Sequence, residues 1–212
     1  KKNNLGKGWV LGETLITGIG QGYIQSTPLQ LCMMTAQIAN GGYAIKPKII
    51  VDSNPVSYED AKQSMESGLL FDSNSESLLD KKLFKDKKNI KIIQEAMFSS
   101  TNERFGTSYK SRIDDPKYQF AGKTGTAQVK RISKRERELD LELEQIPYKD
   151  RDHALYVAYG PYINPRYALS IIVEHGGSGS KAAAPIAKKL FKLIIDRHDL
   201  RNKQSNFERI TV

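Results

Sequence analysis

Two short runs near the end of the chain restrict its fold more than any other feature. Ala154–Tyr159 and Tyr167–Glu174 are apolar, β-branched and aromatic, and Gly160-Pro161-Tyr162-Ile163-Asn164-Pro165 between them is turn chemistry. Strands joined by so short a link pair antiparallel, because a parallel connection needs a crossover of a dozen residues or more. A third run, Tyr118–Val129, reads as a strand with a glycine-rich middle. Lys130–Asp152 joins it to the hairpin and is dense in charge, with Leu139, Leu141, Leu143 and Ile146 interspersed. That segment (130–152) is expected to be a surface insertion, in part helical, that lets Tyr118–Val129 pair with Ala154–Tyr159.

Helices are expected on either side of these strands. Thr27 is a good N-cap, Pro28 suits the first helical position, and Gln30 completes a capping box. The helix so started carries two apolar stripes, Leu29, Cys32, Met33 and Ala36, and Leu31, Met34 and Ile38, which predicts burial on two sides. Asn40-Gly41-Gly42 ends it. A short strand is expected over Ala44–Val51, and 52–86, polar and Ser-rich, reads as an excursion. Asn89–Asn102 is helical by pattern, with Ile92, Ile93, Ala96 and Met97 as its stripe. A last helix, Ala182–Arg197, shows the stripe Ile186, Leu190, Leu193 and Ile194. The glycine-rich first 25 residues predict irregular backbone and not a helix. The fold class is therefore α+β: an antiparallel sheet covered by helices.

Composition narrows the function classes. With 33 Lys+Arg against 24 Asp+Glu the net charge is +9, which suits an anionic partner: nucleic acid, a membrane surface or a cell-wall polymer. The strands lack the aromatic and arginine pairing of nucleic-acid surfaces, so no nucleic-acid partner is expected. A single cysteine, Cys32, cannot form an internal disulfide, no His/Cys cluster has metal-ligand spacing, and no metal or cofactor is expected. No apolar run reaches the ~20 residues of a membrane span. The chain opens Lys1-Lys2 without an initiator Met, which suggests a processed or excised piece.

Lys123-Thr124-Gly125-Thr126 is where chemistry concentrates. A strand lysine can aim a cation at a carboxylate, a threonine hydroxyl can donate to it, and a glycine lets a ligand backbone approach. Lys123 and Thr124 have opposite parity, so one pocket can use both only at a sheet edge. An edge also leaves backbone N–H groups open, as an added peptide strand or an oxyanion hole requires.

These residues are similar to a known family. Lys-Thr-Gly, with Ser-x-x-Lys and a Ser-Asn-type motif, marks penicillin-binding proteins and class A β-lactamases. Gly18-Ile19-Gly20-Gln21-Gly22 with Ser26-Thr27-Pro28-Leu29-Gln30, and Lys123 to Val129, resemble class B penicillin-binding proteins. Asp152-His153, Ala158-Tyr159-Gly160-Pro161-Tyr162, Asn164-Pro165 and Glu174-His175-Gly176-Gly177 are similar to the elongation-specific penicillin-binding protein 2 group. The resemblance implies that 1–212 is the C-terminal portion of a transpeptidase domain. It implies a D,D-transpeptidase that cross-links peptidoglycan stem peptides through a serine acyl-enzyme and is the target of β-lactam antibiotics. Lys123 and Thr126 take catalytic roles in that reading, with the N–H of Thr126 in the oxyanion hole. Thr124, Gly125 and Thr126 bind substrate, and the Gly18–Gly22 loop supports the cleft. Implied partners are the D-Ala–D-Ala stem, the N-terminal portion of the same protein and the elongation machinery, at the periplasmic face of the bacterial inner membrane. The alternatives are a serine β-lactamase or D,D-carboxypeptidase, or a basic non-catalytic binding module.

The departures are as informative. The family's Ser-x-x-Lys and Ser-x-Asn precede the Gly-Gln-Gly segment, so the nucleophile is expected outside this chain, which alone is expected to be inactive. Ser178-Gly179-Ser180-Lys181 and Ser100-Thr101-Asn102 match formally but stand out of order. His153, His175 and His198 are read as structural.

Overall fold

The computed structural model describes residues 8–22, 25–45, 47, 82–83, 85–130 and 141–210, with side chains through residue 202. In chain order these form α1 (Leu11–Gly18), α2 (Pro28–Ala39), α3 (Lys87–Asn102), β1 (Ala121–Ala127), β2 (His153–Gly160), β3 (Tyr167–Val173) and α4 (Ala184–Ile210). The strands make one antiparallel sheet in the order β1-β2-β3. Thr124 stands opposite Tyr156 and Thr126 opposite Ala154, while Tyr156 stands opposite Ile171. The α+β class and both hairpins are as the sequence implied, and β1 is an edge strand among the described residues, shorter at both ends than expected.

The start of α2 follows its sequence signal. Thr27 Oγ1 accepts from the Gln30 N–H at 3.2 Å and Gln30 Oε1 accepts from the Thr27 N–H at 2.8 Å. Gly41 and Gly42, at φ 87° and 93°, end it. The expectation of burial on two sides is corrected: only Thr35 and Ile38 are buried, and Leu29 and Met34 are exposed. One face of α2 lies on the sheet and the other does not.

The glycine-rich start is also corrected, since Leu11–Gly18 is helical. Glu13 accepts the Val10 N–H at 2.9 Å and starts the helix; Gly20, at φ 79°, ends the segment. The helix buries no residue, and the bonds of the following loop are local, Gly20 N–H to Thr17 and Gln21 N–H to Ile16. Most of the expected Ala44–Val51 strand and of the 52–86 excursion lies outside the described residues. What is described there includes an isolated bridge between Tyr43 and Lys82. Of the charged insertion, 131–140 lies outside, and the remainder holds 3-10 turns at Leu143–Gln145 and Tyr148–Asp150.

The sheet is covered on both faces. On one, Phe120, Ala154, Tyr156 and Ala158 pack against Ala184, Ala187, Phe191 and Ile195 of α4. On the other, Ala121 and Tyr159 pack against Ile38 of α2 and Met97 of α3. The stripe expected on α4 is therefore corrected: Ile186 and Leu193 are exposed, and the small residues Ala184 and Ala187 face the sheet, because they let the helix approach until the Phe191 ring stacks on Phe120 at 4.8 Å. The α3 stripe shifts likewise, with Ile90, Met97 and Thr101 buried and Ile92 exposed.

Candidate active site

Along β1 the edge changes character. Ala121 and Gly122 are buried, and from Lys123 to Ala127 the strand is partly or fully exposed. The covered half lies against the end of α3 and the loop that follows it. Thr101 donates toward the Gly122 carbonyl at 3.4 Å and Asn102 Nδ2 to the Phe120 carbonyl at 2.9 Å. These carbonyls fix the orientation of the strand. Peptide groups of alternate residues turn to the same side, so those of Gly122, Thr124 and Thr126 turn outward, away from β2. No described strand lies on that side. The Thr126 N–H thus points from an open edge.

Gly122 has a particular reason to be glycine. A Cβ there would fall 2.4 Å from the Tyr156 hydroxyl oxygen. Tyr156 uses that space to pass beneath β1, where its hydroxyl meets Thr101 Oγ1 at 2.9 Å and Ser108 Oγ at 3.0 Å. Ser108 also donates to the Ser100 carbonyl at 3.0 Å. Burial pushes the Tyr156 hydroxyl above the ordinary tyrosine range, against the opposing pull of the Ser108 and Thr101 hydrogen bonds. A neutral, fully engaged phenol therefore ties the end of α3 to β2 under the strand that carries the motif.

The open half presents Lys123, Thr124, Gly125 and Thr126. Thr124 shares the α4 face of the sheet with its neighbour Tyr156, and Lys123 starts from the other face with Ala121. The ammonium nevertheless comes round the edge: Lys123 Nζ donates to the Thr124 carbonyl at 2.8 Å and to Thr124 Oγ1 at 3.4 Å. Opposite parity and a shared edge are thus reconciled by a long side chain. Gly125 leaves room beside Leu155, whose Cβ would lie 3.3 Å from an added Cβ. An anion laid along this edge would meet an ammonium, threonine hydroxyls and an outward N–H, donors suited to a carboxylate or a developing oxyanion.

The formal matches fall elsewhere. Ser178 precedes a π turn over Gly179–Ala183, and its hydroxyl bonds Ser180 Oγ at 3.0 Å. Asn102 is spent on the Phe98 and Phe120 carbonyls. Ser100 is closer to the site than its sequence order suggests, since its hydroxyl lies 3.3 Å from Thr107 Oγ1, which lies 3.4 Å from Thr124 Oγ1. Thr107 is the residue that sequence reading missed. The only signal for it is Gly106 just after a helix end, where a Cβ would fall 2.3 Å from the Ser100 carbonyl oxygen. The histidines bond and pack within the fold. The His175 N–H donates to His153 Nδ1 at 3.0 Å, His175 Nδ1 meets the Arg151 carbonyl at 2.9 Å, and His198 packs edge-on to Tyr167. Among the described residues no group of His, Cys, Asp or Glu could hold a metal, and no helix is long and apolar enough to cross a membrane.

Comparison with known proteins gives the family and the fold. Residues 1–192 match the penicillin binding protein transpeptidase domain. Peptidoglycan D,D-transpeptidase MrdA of Salmonella typhimurium is 31% identical over 194 residues, covering 90% of this chain and 28% of that protein. The chain thus spans less than a third of the length of that relative. Pseudomonas aeruginosa PBP2, solved in complex with WCK 5153, is 33% identical with a TM-score of 0.65, covering 91% of this chain and 36% of that one. Helicobacter pylori PBP2, solved in complex with MreC, is 32% identical with a TM-score of 0.62, covering 91% and 30%. The chain belongs to the penicillin-binding protein transpeptidase family, and its helix-covered antiparallel sheet is part of that family's fold.

Proposed function

We propose that the protein carrying this chain is a peptidoglycan D,D-transpeptidase of cell-wall elongation, working at the periplasmic face of the bacterial inner membrane. The observation that carries the reading is the open half of β1, where Lys123 Nζ reaches round the edge to Thr124 beside the outward N–H of Thr126. A serine outside residues 1–212 attacks the carbonyl of the D-Ala–D-Ala bond. Its Oγ–C bond forms, the amide C–N bond breaks, and the terminal D-Ala leaves with the proton. An amine of a neighbouring stem then attacks the ester, forming the cross-link and returning the proton to the serine. In this scheme Lys123 supplies the cation of the site, Thr124 and Thr126 hold the substrate carboxylate, Gly125 gives the backbone clearance, and the Thr126 N–H is one oxyanion donor. β-Lactams acylate the same serine. The MreC complex of the Helicobacter relative supports an elongation component of that kind as partner.

The test is covalent labelling of the intact protein with a fluorescent penicillin. The wild type is expected to form a long-lived adduct, whereas rapid deacylation would indicate a β-lactamase. Lys123→Ala is expected to slow acylation by at least ~100-fold, the scale for losing one preorganised donor or charge, with little change in melting temperature. Near-wild-type acylation would remove Lys123 from the mechanism. Residues 1–212 alone are expected to take no label, since neither Ser178 nor Ser100 stands as the nucleophile; a stoichiometric adduct on Ser178 would overturn the assignment.

A further inference from the structure

We infer that Thr107 is a positioning residue for the substrate carboxylate, acting through the hydroxyl of Thr124; the inference rests on the function proposed above. Three hydroxyls run in line to the open edge of β1: Ser100 Oγ to Thr107 Oγ1 at 3.3 Å, and Thr107 Oγ1 to Thr124 Oγ1 at 3.4 Å. Lys123 Nζ approaches the same Thr124 oxygen at 3.4 Å, and an ammonium can only donate. A hydroxyl has one hydrogen and two lone pairs. Either oxygen of the Thr107–Thr124 pair can donate; with Thr107 as the donor beside Lys123, both lone pairs of Thr124 Oγ1 are engaged and its own hydrogen is directed away from both. That hydrogen is then available to an anion laid along the open edge. Either oxygen of the Ser100–Thr107 pair can donate; with Ser100 as the donor the same sense is set one step further back, and hydroxyls aligned in this way polarise one another.

The fold holds Thr107 in place by means independent of its side chain. Gly106 folds the loop back on α3, with its N–H on the Glu103 carbonyl at 2.9 Å, and the Ser108 N–H reaches the Ser100 carbonyl at 3.1 Å. Ser108 Oγ is locked to Tyr156 beneath β1. Thr107 lies between these anchors and is exposed, so its hydroxyl is not needed for burial. It serves the orientation of Thr124, which a substrate carboxylate then reads.

The experiment measures the second-order acylation rate of the intact protein by fluorescent penicillin in four forms besides wild type: Thr107→Val, Thr107→Ser, Thr124→Val and the double Thr107→Val/Thr124→Val. Thr107→Val is expected to slow acylation about tenfold, the scale of one hydrogen bond, at unchanged melting temperature. Thr107→Ser should restore most of the rate, because it returns the hydroxyl without the methyl. In the Thr124→Val background the Thr107 substitution should cost nothing further, since the route through Thr124 is already gone. A wild-type rate in Thr107→Val, no rescue by Ser, or losses that multiply in the double variant would each overturn the inference while leaving the proposed function standing. A wild-type protein that takes no label would bring down both together.

Discussion

Gly122 shows how much one missing atom can decide. Any side chain there would meet the Tyr156 ring, with an added Cβ 2.6 Å from Cζ and 2.4 Å from Oη. Gly122→Ala would force Tyr156 out from under β1 and strip Thr101 and Ser108 of their shared partner. Overpacking combined with the loss of both hydrogen bonds of a buried phenol predicts a loss on the order of 3 kcal/mol, read as a lower urea midpoint at unchanged slope. Equal stability of the variant would mean that the phenol has room to spare. Lys123, one residue on, depends on reach instead of space. Its motif was legible in the sequence, and so was the need for an edge, because parity alone separates it from Thr124. The path of its ammonium round the edge was not legible, since it depends on an outward Thr124 carbonyl that only strand pairing orients.

Between elements, the segment entering β1 is tied to α4 by charge. Lys117 Nζ bridges Asp196 at 3.1 Å and Asp199 at 2.9 Å, and the Tyr118 hydroxyl donates to Asp196. Hydrogen bonds from Tyr118 and Lys117 hold Asp196 below the usual carboxylate range, and Lys117 does the same to Asp199. Their partnership in turn raises Lys117 above the ordinary lysine range. A carboxylate depressed in the folded state stabilises above its unfolded pKa of about 4, and that support fades as pH falls. A raised lysine stabilises below its unfolded pKa of about 10.4, and that support fades as pH rises. The melting-temperature gap between wild type and Lys117→Met should therefore be widest at neutral pH and narrow towards both extremes. A gap independent of pH would show that the contact is packing by the lysine stem. Element starts were legible where a few adjacent residues settle them, as at Thr27. The α1 helix was not, because Gly6, Gly8, Gly12, Gly18, Gly20 and Gly22 favour irregular backbone and one local bond, from the Val10 N–H to Glu13, opposes them.

For the whole molecule, the sheet between two helical layers depends on how closely α4 can approach. Phe191 is fully buried, stacked on Phe120, and fits where Gly160 lacks a side chain, an added Cβ there lying 3.0 Å from the ring. Phe191→Ala should cost about 3–5 kcal/mol, measured by thermal or urea unfolding of the intact protein; a cost below about 1 kcal/mol would mean that α4 closes the cavity. What the sequence by itself determined is carried by neighbours along the chain: the Thr27–Gln30 cap, the antiparallel strands with their turn, and the motif with its parity problem. The tertiary structure alone decided which stripe of α4 is buried, Ala184, Ala187 and Phe191 instead of Ile186, Leu190 and Leu193. It also brought Thr107 to within hydrogen-bonding distance of Thr124 across 17 residues of sequence. The reason is physical. A cap or a turn is satisfied by backbone groups a few residues away, whereas the choice of buried face and the meeting of distant hydroxyls depend on the shape of the surface that arrives from elsewhere in the chain.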